Sequence, residues 1–422
     1  MQFTKFNQFI LEKSEEIYNK ILNSNNSAEN ELKYFFKKNH SLGSNDRKII
    51  AEIIYEILKN KILLEYYLTK NKMTINARNI ILLFCVFNKK IDNINRINAN
   101  QEIKEIIEKI NNFIYEENLP LSIKYSIPDW LISEWAEYYS EFEIKKICEE
   151  YHKEAALIIR TNTIKIKRDE LIKKLEANGI EAKPTKISPD GIIVDKRKNL
   201  FELELFKKGY FEIQDEGSQI ISYLAEARQG IKVFDACAGG GGKSLHIANL
   251  MNNKGLIYAF DINENRLKKI KPRIKRANIS NIRLIFDKKK IKRLYNKFDV
   301  ILIDTPCSGT GVIRRKPDIL LKLTKEKIEK LSEEQLEILD EYNPILKIGG
   351  RLIYATCSIQ KKENEEVIKK FLERNKNYEI IPVNEILKRQ KISLEFSDEF
   401  LKLLPIKHNT DGFFAAVLKK IE

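Results

Sequence analysis

A length of 422 residues exceeds one ordinary core and fits two or three domains. With 43% hydrophobic and 32% charged residues the chain reads as soluble and globular, and the lack of any run of 18 apolar residues excludes a transmembrane helix. The net charge of +15 suits a polyanionic partner such as nucleic acid, although an AT-rich coding sequence would enrich lysine in the same way.

The opening MQFTKFNQFILEKSEE breaks its apolar residues with Lys and Glu, unlike a signal peptide, so a cytoplasmic location is expected. Residues 1 to about 125 read as helical: LEKSEEIYNKIL and DRKIIAEIIYEILKNKILLEYYL place apolar residues three and four apart. IPDWLISEWAEYY reads as another amphipathic helix, with Trp130 and its other aromatics serving packing. A helical domain over 1–150 is the expectation. The texture then changes. ALIIRTNTIKI alternates like a strand, RDELIKKLEANGI is a helix stopped at Gly179, and GIIVDK and YFEIQDEGSQ read as extended. This predicts a small α+β unit over 151–219. From residue 220 to 422 strands and helices alternate: KVFDAC, LIYAFDI, IRLIFD, DVILIDT and RLIYATC, with ENRLKKIKPRIKRA and KEKIEKLSEEQLEILDEY among the helices between them. That rhythm predicts an α/β, doubly wound Rossmann-like domain with a mostly parallel sheet, closed by two strands joined around Asp411-Gly412.

DACAGGGGKS follows the first strand of that domain and allows three ligands. A phosphate-cradling P-loop requires a first glycine where this chain has Cys237, although Gly242, Lys243 and Ser244 match its end. A dinucleotide fingerprint uses Gly239 and Gly241 but finds Ser244 at its third glycine. S-adenosylmethionine needs no phosphate site; it needs close backbone approach and an acid after the next strand to hold the ribose. Gly239, Gly241 and Asp261 meet that need, and Asp287 follows the third strand, placed to reach the adenine side. Each Asp also suits an ordinary helix cap or turn.

Five cysteines are scattered, without the paired spacing of a zinc site or a dense disulfide framework, so no metal is expected. Cys85, in ILLFCVF, and Cys148 read as core on the burial preference of free cysteine, and Cys237 as a packing residue of its loop. Cys307 in DTPCSGTGV and Cys357 in ATCSIQKKEN instead end the fourth and fifth strands, at the ligand edge of such a sheet. Carbon 5 of cytosine becomes nucleophilic once a thiolate adds to carbon 6, so a methyl donor beside two thiols points to that reaction. The attacking thiol should have a depressed pKa. Asp304, at the end of the fourth strand, can reach the ring nitrogen of the base.

In this order DACAGGGGKS, DINENR, DTPCSGTGVIRRKPDI, YATCSIQKKENEEVI and DGFFAAVLKK resemble the RsmB/NOP family of RNA cytosine-C5 methyltransferases, and among them the bacterial Sun/Fmu-like enzymes of 16S ribosomal RNA. The resemblance runs from about Tyr210 to Lys420. It implies that Cys357 is the nucleophile and that Cys307 promotes product release. It implies that Cys237, Ala238, Gly239, Gly240, Gly241, Gly242 and Lys243 form the S-adenosylmethionine loop, with Asp261, Asp287 and Asp304 as further cofactor acids. Lys243 matches a lysine that orients the site. Family loops commonly read Ala-Pro-Gly-Gly-Lys; here Gly239 and Gly240 replace Ala-Pro, which implies a more flexible loop. Asp287 lies in FDKKK, outside the usual turn. A helical NusB-like domain and a small RNA-binding-like unit precede the catalytic domain in such relatives, compatible with residues 1–150 and 151–219.

Arg314, Arg315 and Lys316 follow Cys307 and are expected to contact RNA phosphates, although a short basic run is ordinarily a solvated turn. A base attacked at carbon 6 must be unpaired or flipped. The expected partner is RNA, ribosomal first, with no membrane, no metal and a monomer favoured. The alternatives are a transfer RNA cytosine-C5 methyltransferase and a non-catalytic RNA-binding assembly factor.

Overall fold

The structure, a computed structural model, describes residues 6–88, 101–116, 118–195 and 199–422, so part of the expected helical stretch, 89–100, lies outside the described residues. Two compact units result, Met1–Glu154 with Ile313–Leu323, and Ala155–Val312 with Thr324–Glu422.

In the first unit short polar side chains start the helices. Asn7, Ser27 and Asn76 each accept a hydrogen bond from the amide three residues on, and Gln8–Asn23, Ala28–Lys38 and Ala77–Phe87 follow. Ser44–Lys59, Lys61–Lys70 and Gln101–Asn111 complete one core, in which Ile17, Tyr18, Ile53, Leu68, Leu83 and Cys85 are buried. Asp129–Trp135 is helical with Trp135 fully buried, and Glu141–His152 buries Cys148. The segment Ile313–Leu323 belongs here through Asp318, whose carboxylate accepts from the Ala28 amide at 3.0 Å.

The second unit holds two sheets. Strands β1 (Leu157–Thr161), β2 (Ala182–Pro184), β3 (Gly191–Val194) and β4 (Phe211–Ile213) form an antiparallel sheet in the order β2-β3-β1-β4. The large sheet contains β5 (Lys232–Asp235), β6 (Leu256–Phe260), β7 (Ile282–Ile285), β8 (Phe298–Asp304), β9 (Leu346–Thr356), β10 (Tyr378–Ile380), β11 (Leu401–Leu403) and β12 (Phe413–Lys420). Its order is β10-β12-β9-β8-β5-β6-β7, with β11 paired to β12. Strands β5 to β9 are parallel and β12 runs antiparallel to β9. Chain order reverses between β5 and β8, so the loops leaving these two strands open a crevice at the topological switch point.

Three local expectations change. YFEIQDEGSQ is extended only over β4; Asp215 then caps the helix Glu216–Tyr223, accepting from the Gly217 amide. ENRLKKIKPRIKRA is two helices, Glu264–Lys268 and Ile270–Ala277, since Pro272 lacks the amide that would continue the ladder. The connection from β11 to β12 is not a plain turn around Asp411-Gly412 but includes a helical turn, Pro405–His408.

Candidate active site

The crevice is bordered by the ends of β5, β6, β8 and β9. After β5 the chain turns on Gly239 and Gly241, with φ +52° and +80°, before the helix Gly242–Leu250 starts. A side chain at either position would be strained whatever space surrounded it. Two loop amides are engaged: Gly239 donates to Asp261 Oδ2 at 2.8 Å and Gly241 to the Ala238 carbonyl at 2.7 Å. Asp261 Oδ1 accepts from the Asn263 amide at 2.8 Å, so this acid ties the ends of β5 and β6 together. Lys243 is turned to Asp304, with Nζ 2.6 Å from Oδ2. A phosphate-cradling loop would keep its lysine free for the phosphates, and here Lys243 is committed to a carboxylate.

Asp235, buried at the end of β5, accepts from Ser244 Oγ at 2.5 Å, and its Oδ1 is buried without a hydrogen-bond partner. Burial pushes its carboxyl up to about 7, against the Ser244 bond and with help from the nearby Asp304 charge. An orphaned acceptor beside a glycine turn and a neighbouring carboxylate suits a cationic amino acid moiety joined to a ribose. The residues present therefore fit S-adenosylmethionine. Cys237 packs against the core that contains Phe234 and Phe260, and burial pushes its thiol up, as expected of a packing residue.

Asp287 follows β7, the strand next to β6. It is exposed and caps the turn Lys288–Ile291, accepting from the Lys289 amide at 2.9 Å. Arg314 is buried, Arg315 half-buried and Lys316 exposed, all on the segment that belongs to the helical unit.

The two cysteines do meet. Cys307 Sγ and Cys357 Sγ lie 3.3 Å apart, and the Cys357 amide donates to Cys307 Sγ at 3.3 Å. The hydrogen bond with Cys357, burial and the Glu363 charge together push the Cys307 thiol up, so it stays protonated. The loops that carry them are joined through a buried carboxylate. Glu363, fully buried, accepts from the Ser308 amide at 2.7 Å, from Ser308 Oγ and Ser358 Oγ at 2.5 Å each, and from Gln335 Nε2 at 3.1 Å. Thr310 Oγ1 lies 3.0 Å from Ser358 Oγ, and the Gly311 amide donates to the Cys357 carbonyl at 2.9 Å. Glu363 falls within the YATCSIQKKENEEVI segment, but its immediate surroundings, KKENEEV, look like a solvated charge run, and it is not among the site residues expected from the sequence.

A parallel sheet extended by an antiparallel strand, with a glycine turn, a ribose-type acid and paired thiols at its switch point, defines an S-adenosylmethionine-dependent methyltransferase. The model of the family described as 16S rRNA methyltransferase RsmB/F matches residues 222–419, and that of the RsmF/B-like ferredoxin-like domain matches residues 127–200. A probable ribosomal RNA small subunit methyltransferase B of Bacillus subtilis is 32% identical over 94% of this chain and 96% of its own. The 28S rRNA (cytosine-C(5))-methyltransferase of Mus musculus is 30% identical over 71% of this chain and 40% of its own. Among solved structures, PH0851 covers 97% of this chain and 98% of its own, with TM-score 0.81 and 25% identity. A methyltransferase homolog from Pyrococcus horikoshii covers 70% of this chain and 100% of its own, with TM-score 0.57 and 28% identity. The chain belongs to the RsmB/F family of RNA cytosine-C5 methyltransferases.

Proposed function

We propose that this protein methylates carbon 5 of a cytosine in small-subunit (16S) ribosomal RNA through a covalent adduct at Cys357. The carrying observation is the pair of thiols 3.3 Å apart at the ends of neighbouring strands, beside the Lys243–Asp304 pair. The names of the relatives support ribosomal RNA as the substrate class.

Bound S-adenosylmethionine supplies an electrophilic methyl group. Cys357 Sγ bonds to carbon 6 of the cytosine, and the electron pair moves toward carbon 5. Asp304, held by Lys243, faces the N3 edge of the base, where a proton shared through this pair and given in a hydrogen bond to N3 would draw electrons from carbon 6. Carbon 5 would take the methyl group as the sulfonium–methyl bond breaks and leaves the donor a neutral thioether; loss of the carbon-5 proton to a base would then restore the ring double bond and expel the Cys357 thiolate. Cys307, kept as a thiol beside it, assists the release. The glycine loop with Asp261 holds the donor, and Asp287 serves its adenine side. Lys316 and Arg315 contact phosphate, with Arg314 supporting their turn. Residues 1–150 and 151–219 serve RNA recognition, and 220–422 catalysis. The reaction takes place in the cytoplasm on an unpaired or flipped base.

Transfer of labelled methyl groups to small-subunit RNA that lacks the modification, followed by bisulfite mapping, tests this reading. One protected cytosine is the expected result. Cys307→Ala should accumulate a denaturation-resistant protein–RNA adduct and Cys357→Ala should not; the reverse pattern exchanges their roles. Methylation of transfer RNA alone would replace the substrate. No product on either RNA would leave a non-catalytic assembly factor.

A further inference from the structure

A run of four glycines carries a large entropy cost when a ligand fixes it. The carbonyl oxygens of this run show how that cost is met. Gly242 O accepts from Arg160 Nη1 at 2.8 Å, and Gly240 O accepts from Arg273 Nη1. Neither guanidinium lies in the loop or on a strand leading into it: Arg160 is on β1 of the small sheet, and Arg273 is on the helix Ile270–Ala277. Both are anchored from the β4 side. Glu212, opposite Arg160 in the β1–β4 register, accepts from Arg273 Nη2 at 2.9 Å and Nε at 3.2 Å, and from Arg276. Gln214, just past β4, accepts from Arg160 and donates to Ser218 Oγ at 3.1 Å. Arg160 is almost completely buried, with Glu212 nearly so. Arg160 Nε is buried without a partner, and Nη1 serves both Gln214 and Gly242 O, so a donor that this buried guanidinium does use is spent on the cofactor loop.

We propose that Arg160 and Arg273 are positioning residues for S-adenosylmethionine, through which strand β4 of the small sheet pre-organises the glycine loop. Each bond to a carbonyl fixes a peptide plane, because the amide is planar. Two of the planes in residues 240–243 are therefore set before ligand arrives, and less ordering remains for the ligand to drive. The inference rests on the methyltransferase reading of the loop and extends it to the small sheet.

Titration of the full chain with S-adenosylmethionine, together with amide hydrogen exchange of residues 237–243 in the free protein, tests it. Arg273→Lys keeps a cation beside Glu212 but cannot reach the glutamate and Gly240 O together. It should weaken S-adenosylmethionine binding about tenfold and speed exchange of the loop amides. The KM for S-adenosylmethionine should rise while kcat at saturation and RNA affinity stay within about twofold. Arg160→Met should do the same more strongly; because it also empties a buried polar site, Arg273→Lys is the deciding variant. Unchanged binding and loop exchange in folded Arg273→Lys would overturn the proposal, as would a lowered melting temperature with cofactor affinity intact. If the unaltered protein bound no S-adenosylmethionine, the cofactor reading itself would fall, a result distinct from equal binding by variant and parent.

Discussion

The cysteine loops and the glycine loop leave the same edge of one sheet and are held in opposite ways. The cysteine loops carry their own fixings: Ser308, Thr310, Ser358 and Glu363 all lie close in sequence to a cysteine and bond to one another in a buried cluster. The glycine loop carries only its own turn bond, from the Gly241 amide to the Ala238 carbonyl. Its shape is imposed by Asp261 from the next strand and by guanidiniums from β1 and a distant helix. Thiols act with side chains and tolerate polar neighbours that pin them. A loop that must let backbone approach a ligand has shed its side chains, so its rigidity comes from elsewhere.

The largest effect expected from breaking the first arrangement is chemical. Cys357→Ala should lower turnover at least about a thousandfold, leaving the melting temperature and S-adenosylmethionine affinity close to those of the parent. Retained turnover, measured with labelled methyl donor, would dismiss it as the nucleophile. Glu363→Ala tests the scaffold beneath. It strands the Ser308 amide, two hydroxyls and the Gln335 amide in a buried place, so unfolding should become easier by about 3 kcal/mol. Glu363→Gln keeps an acceptor and should lose less. Both should depress kcat while S-adenosylmethionine affinity stays within about twofold, because the glycine loop does not use this cluster. A parallel loss of cofactor affinity in denaturant-matched conditions would mean that the two loops share one support.

The same contrast explains what could be read in advance. Cys307, Cys357, Asp304, Asp261 and Lys243 sit in motifs whose chemistry dictates residue type and spacing, and the alternation of strands and helices from 220 onward displays its period openly. The supports are different. Glu363 stands among Lys361, Lys362, Glu365 and Glu366, and no local pattern separates the one fully buried charge from its neighbours. Arg160 alternates within a strand like any polar residue, and its partner Gly242 is 82 residues away. Strands β2 and β10 have three residues each, too short for a periodicity to register. Asp287 illustrates an ambiguity of pattern: an acid after a strand suits a ligand and a helix turn equally, and a cap such as its bond from the Lys289 amide is compatible with both.

A smaller effect concerns the helix that carries the glycine loop into the core. His246, on Gly242–Leu250, is fully buried, and its Nε2 lies 3.1 Å from Asp190 Oδ2, which also accepts from Tyr223 at 2.7 Å. Burial and the nearby Arg160 charge outweigh Asp190 and push the imidazole down to about 4 from its usual 6.5. In the unfolded chain it takes up a proton near 6.5, whereas in the folded chain it stays neutral until near 4. Acidification therefore favours the unfolded state across that window, and stability is lost as pH falls from 6.5 toward 4. At about pH 5 this one group should cost about 2 kcal/mol relative to about pH 7.5. Urea unfolding of His246→Gln at both pH values should show a correspondingly smaller drop than the parent. Asp190 lies between β2 and β3 of the small sheet, and His246 just beyond the glycine loop. The loss should therefore be accompanied by faster amide exchange in residues 237–243 before global unfolding. An identical pH response in parent and variant would exclude His246 as the acid-sensitive group and leave the guanidiniums as the connection between the small sheet and the cofactor loop.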